Sequence, residues 1–90
     1  MARFDPMAYE QAALGRNPAA SGEAFLRLGM AYSAGEDGET DLVSAHKWFN
    51  LAAMKGHVHA LRYRREIAQE MSEAQIAEAQ RAAREWLRTH

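Results

Sequence analysis

Asp41-Leu42-Val43-Ser44-Ala45-His46-Lys47-Trp48-Phe49-Asn50-Leu51-Ala52-Ala53-Met54-Lys55-Gly56-His57-Val58-His59-Ala60 is the stretch whose reading decides the fold. Asp41 suits a helix N-cap, because its carboxylate can accept from the unpaired N–H groups of the first turn. Gly56 suits the terminating position, where the backbone turns left-handed and a Cβ is penalised. Between them Ala45, Trp48, Phe49, Ala52 and Ala53 recur at three- and four-residue steps and form one apolar stripe. The stripe alternates very small with very large side chains. Small residues let a second helix come close, and aromatics fill the space beside them. Such a surface is built to lie between neighbouring helices, and nothing in it has the look of chemistry.

The rest of the chain extends this pattern. Asp5-Pro6 predicts a first helix, with a capping carboxylate and Pro at the first helical position. It should run to Leu14 and end at Gly15, before a turn at Asn17-Pro18. Ser21 is read as the cap of a second helix that reaches Ala34 and stops at Gly35. Within it Ala24, Leu28 and Tyr32 stack one turn apart, with Phe25 and Gly29 beside them. Gly29 costs about 1 kcal/mol of helix propensity relative to Ala, so a neighbour pressed against it is expected. After the acidic loop Gly35–Thr40 comes the stretch quoted above. A fourth helix is expected from His57 or Val58 to about Glu70. Ser72-Glu73-Ala74-Gln75 is a capping-box pattern that opens the fifth. Its expected inner face is Ile76, Ala79, Ala83 and Leu87, flanked by Gln80 and Trp86. Glu78, Arg81, Glu85 and Arg88 make its outer face, with opposite charges three or four residues apart.

Ninety residues without cysteine make a single domain, 1–90, with neither a disulfide framework nor thiolate chemistry. No segment approaches the roughly 20 apolar residues of a membrane span, so no membrane partner is expected. Met1–Pro6 lacks the apolar run of a signal peptide, and the expected location is cytoplasmic, or periplasmic if a leader has been removed. Charge is uneven: residues 1–45 carry three Arg against seven Asp and Glu, and residues 46–90 carry eight Lys and Arg against five Glu. The plain reading is a solvated surface; the sharper one is a dipolar molecule whose ends attract each other or a charged partner.

An internal repeat is also visible. Tyr9-Glu10-Gln11-Ala12-Ala13 matches Phe49-Asn50-Leu51-Ala52-Ala53 at an offset of 40 residues, and Ala24 opens its helix as Ala60 does, at an offset of 36. Periods of this size in a helical chain mean stacked helix pairs. The expected fold is therefore all-α, a short α-solenoid of antiparallel pairs with about five helices in the order B-A-B-A-B.

Ala24, Leu28, Gly29, Tyr32, Gly35, Asp41, Ala45, Trp48, Phe49, Ala52, Ala53, Gly56 and Ala60 resemble, in order and spacing, the unit of the Sel1-like repeat family, relatives of the tetratricopeptide repeat. The match covers residues 24–60 well, with partial units at 5–15 and 61–88. Residues 61–90 depart from it, since Arg64 and Arg65 stand where Leu and Gly belong, and the loop has Gly35-Glu36-Asp37-Gly38 in place of Gly-x-Gly-Val. The resemblance implies a non-enzymatic module that binds other proteins, with the signature residues spent on packing. It places partner contacts on exposed A-helix positions: Arg27, Met30 and Ser33 on the second helix, and Arg62, Arg65 and Gln69 on the fourth. The plainer reading packs Leu26 and Met30, one turn apart, on the N-terminal helix instead.

Other chemistries find little support. His46, His57, His59 and His90 match no zinc spacing and are read as solvated, so neither metal nor cofactor is expected. The acidic loop lacks the alternating ligands and closing Glu of a calcium loop. Arg62-Tyr63-Arg64-Arg65 could meet phosphate and a base, but Glu66 and Glu70 follow one turn on and can pair with Arg62. Nucleic acid binding is therefore the alternative reading, beside a self-assembling structural protein. No Ser-His-Asp order, phosphate loop or carboxylate pair suggests an enzyme. The N-terminal end, with Phe4, Met7 and Tyr9, is the expected place for a homodimer or a docked partner.

Overall fold

Helix ends establish the framework. In the computed structural model, which describes residues 18–36 and 38–90, four helices follow one another and no strand occurs among the described residues. They are α1 (Pro18–Ala34), α2 (Leu42–Met54), α3 (Ala60–Ala68) and α4 (Glu73–Thr89). The helix expected over residues 6–14, and with it Phe4, Met7 and Tyr9, lies outside the described residues.

The capping chemistry is visible at each well-marked end. Asp41 Oδ1 accepts from the Ser44 N–H at 3.0 Å, and Oδ2 accepts from the Ser44 hydroxyl at 2.7 Å. At the start of α4 the Ser72 hydroxyl accepts from the Gln75 N–H at 3.1 Å, while Gln75 Oε1 accepts from the Ser72 N–H at 2.9 Å. These two bonds make the reciprocal capping box. α1 and α2 finish alike: the Glu36 N–H donates to the Ala31 carbonyl, and the His57 N–H to that of Ala52. Gly35 and Gly56 occupy the turning positions with φ of +70° and +86°. This is the glycine-terminated helix end expected from sequence.

Three expected boundaries change. α1 begins at Pro18, so Ser21 lies inside the helix and does not cap it. Proline's fixed φ and missing N–H suit the first helical turn, which makes Pro18 a start where the sequence suggested a turn. α3 is shorter than expected at both ends, since His57, Val58 and His59 are used in the turn after α2. On α4, Trp86 packs inward and Leu87 is 38% exposed. One residue of rotation, 100° on a helix, is enough to exchange them.

α2 is the hub, with α1, α3 and α4 each packed against it. Phe25 from α1, Trp48 from α2 and Trp86 from α4 meet at the centre. Phe25 stacks on Trp48 at 5.5 Å between ring centroids, and both meet Trp86 near right angles at 5.2 and 5.6 Å. Such pairs contribute about 0.5–1.5 kcal/mol each beyond the area they bury. Leu28, Ala45, Phe49, Leu51, Ala52 and Ala60 are buried around them, and Ala79 and Ala83 turn the inner face of α4 to the core. Gly29 lies directly under the Phe49 ring: a Cβ there would be 2.9 Å from Phe49 Cγ and nearer still to Cδ1 and Cε1. The neighbour expected from that glycine is therefore Phe49. Phe49 also stacks on Tyr63 of α3, with centroids 5.6 Å apart.

Candidate functional site

The expected contact positions fall on two helices. On α1, Arg27 is exposed and its Nε lies 3.3 Å from Glu23 Oε1. Met30 is 41% exposed, a large value for an apolar side chain. Ser33 is half-buried and its hydroxyl donates to the Met30 carbonyl at 2.9 Å. On α3, Arg62, Arg65 and Gln69 are all exposed. Arg62 reaches Glu66 at 3.9 Å and lies over the Tyr63 ring at 5.3 Å. Between solvated side chains such pairs stabilise by well under about 1 kcal/mol, so both arginines are open to exchange for a partner's carboxylate.

A groove of about 460 Å³ runs along α1, lined by Glu23, Leu26, Arg27, Met30, Ala31, Ala34 and Glu36. It joins Arg27 to Met30 and leaves out Ser33 and the three α3 positions. The groove thus includes only part of the expected face. The N-terminal helix that Leu26 and Met30 were expected to meet lies outside the described residues.

The Arg62–Arg65 cluster is divided as well. Arg64 turns inward, and its Nη1 donates to Asn50 Oδ1 of α2. It is half-buried. Two of the three arginines thus remain on the surface.

The histidines need correction. His46 is not solvated: it is 3% exposed, and its buried Nδ1 has no hydrogen-bond partner among the described residues. Burial, and then the Arg64 charge, push its pKa below the ordinary histidine value. The sequence held a signal for this, because His46 precedes Phe49 by three residues and so borders the apolar stripe. His57 Nε2 lies 3.1 Å from Glu23 Oε2, tying the turn after α2 to α1. His59 is exposed, and its N–H donates to His57 Nδ1 at 3.3 Å. The His90 ring stacks on Trp86 at 4.4 Å. Among the described residues no group of three or more His, Asp or Glu is placed to hold a metal ion. In the acidic loop, the Asp41 carboxylate is engaged by the α2 cap. Among the described residues no helix is long and apolar enough to cross a membrane.

No family model, no curated protein and no solved structure matches the chain.

Proposed function

We propose that this chain is a short solenoid of the Sel1-like type that works, without covalent chemistry, by binding another protein through the exposed positions of α1 and α3. The observation that carries this reading is the setting of Phe49. It rests on Gly29 of the helix before it and on Tyr63 of the helix after it, as an aromatic at a repeat seam should. The signature positions Ala24, Leu28, Gly29, Ala45, Trp48, Phe49, Ala52 and Ala60 are buried; Tyr32, Gly35 and Ala53 are half-buried, and Gly56 is exposed in its turn. Packing thus uses most of the signature and leaves Arg27, Met30, Arg62, Arg65 and Gln69 available for recognition. A partner with carboxylates and an apolar anchor for the Met30 groove fits these side chains.

The test is affinity capture with the full chain, half of each sample treated with nuclease, followed by cross-linking of the retained complex. Arg27→Glu plus Arg65→Glu is the control bait. A protein retained after nuclease, lost with the control and cross-linked to α1 and α3 supports the reading. Retention that disappears with nuclease moves the assignment to nucleic acid, and recovery of the bait alone moves it to self-assembly.

A further inference from the structure

His46 is a polar side chain held in a place that suits only its neutral form. It is 3% exposed, and Nδ1 meets no partner among the described residues. A neutral imidazole can leave one nitrogen bare, whereas the charged ring carries N–H donors at both nitrogens and would bury a donor and a positive charge together.

The surroundings offer no compensation among the described residues. α1 turns Ala24, Phe25 and Leu28 to the core, and its charged Glu23 and Arg27 pair at the surface. α4 turns Ala79, Ala83 and Trp86 inward, while Glu73, Glu78, Arg81, Arg84, Glu85 and Arg88 are exposed. On α2 itself Asp41 is held by Ser44, and the Lys47 ammonium lies over the Trp48 ring. α3 presents a charge of the wrong sign. Arg64 bonds to Asn50, one helical turn from His46, and its charge acts on the ring. The α3 carboxylates Glu66 and Glu70 are exposed.

α3 is also the helix most easily released. It has nine residues, and Ala60 is its one fully buried residue. Helices this short do not persist alone in water, so α3 depends on its docking. Beyond Ala60, that docking includes the Tyr63–Phe49 stack and the Arg64–Asn50 hydrogen bond, with Leu61, Ile67 and Ala68 half-buried.

We propose that His46 is an acid-sensitive latch: protonation of its buried ring, beside Arg64, undocks α3 from α2 while α1, α2 and α4 stay packed around Phe25, Trp48 and Trp86. The sign follows from linkage. The docked state disfavours the proton and the undocked state binds it near the ordinary value of 6.5, so docking is strongest above that pH and weakens below it.

The test is amide hydrogen exchange of the full chain by NMR between pH 7.5 and 4.5, corrected for intrinsic exchange, with the His46 ring followed in the same samples. The opening constant of α3 amides should rise as pH falls below about 6.5, by at most about tenfold per pH unit, and level off once the docked ring also takes its proton, with α2 and α4 unchanged. In His46→Leu, and in His46→Gln should that variant fold better, the α3 response should be flat. Constant α3 protection down to pH 5 in the native chain overturns the proposal. So does loss of protection in α2 and α4 together with α3, or an unchanged acid response in a folded His46 variant.

Discussion

Gly29→Ala tests the close approach on which the α1–α2 packing rests. On an isolated helix this substitution stabilises by about 1 kcal/mol. Here the new Cβ would lie within 2.9 Å of Phe49 Cγ and closer to two other ring carbons, a separation that real contacts do not sustain. The ring cannot simply swing away, because Phe49 is 1% exposed and is stacked on Tyr63. Overpacking of this kind costs about 1–3 kcal/mol, and a buried ring already held by a stacked neighbour belongs at the upper end. Subtracting the propensity gain leaves a net destabilisation of about 2 kcal/mol, or about 10 °C in Tm for a domain of this size. Urea unfolding followed by circular dichroism measures it. Phe49→Ala alone should cost about 3 kcal/mol, and about 3 kcal/mol less in the Gly29→Ala background, where the clash has gone with the ring and the propensity gain remains. A Gly29→Ala protein stabilised by about 1 kcal/mol, or a strictly additive double mutant, would refute the reasoning.

Asp41→Ala removes both bonds to Ser44 and should cost about 1 kcal/mol in the same unfolding assay, more than an exposed acidic residue without a capping role such as Glu78. Gly35→Ala forces a side chain into a backbone with φ of +70° and sets its Cβ 3.1 Å from the Gly38 carbonyl oxygen; a loss of at least about 1–2 kcal/mol is expected by denaturation. Arg27→Glu plus Arg65→Glu should change stability by less than about 1 kcal/mol, because both side chains are exposed, so circular dichroism of the control bait should match the parent. Overall stability should rise with pH through the range just below 6.5, since the folded chain holds His46 neutral, and a pH series of urea midpoints should lose that slope in His46→Leu.

Local chemistry was legible without coordinates. Asp41 and Ser72 cap because a carboxylate or hydroxyl meets orphan N–H groups within its own turn, and Gly35 and Gly56 terminate because a left-handed residue is a backbone requirement. The Ala45–Ala53 stripe, and the demand that something lie against Gly29, were likewise contained in spacing and side-chain size. The sequence carried these features because their partners lie within a few residues, or because the missing atom itself implies a neighbour.

Tertiary structure decided what depends on rotation and on distant partners. Trp86 and Leu87 are both apolar and adjacent, and the geometry of the Phe25–Trp48 pair selected Trp86 for the core. Arg64 turns inward to α2, where Asn50 Oδ1, fourteen residues away in sequence, accepts its hydrogen bond. His46 is the clearest case. Its residue type suggests water, its place beside the aromatic stripe suggests the core, and only the packing of the helices around α2 decides between them.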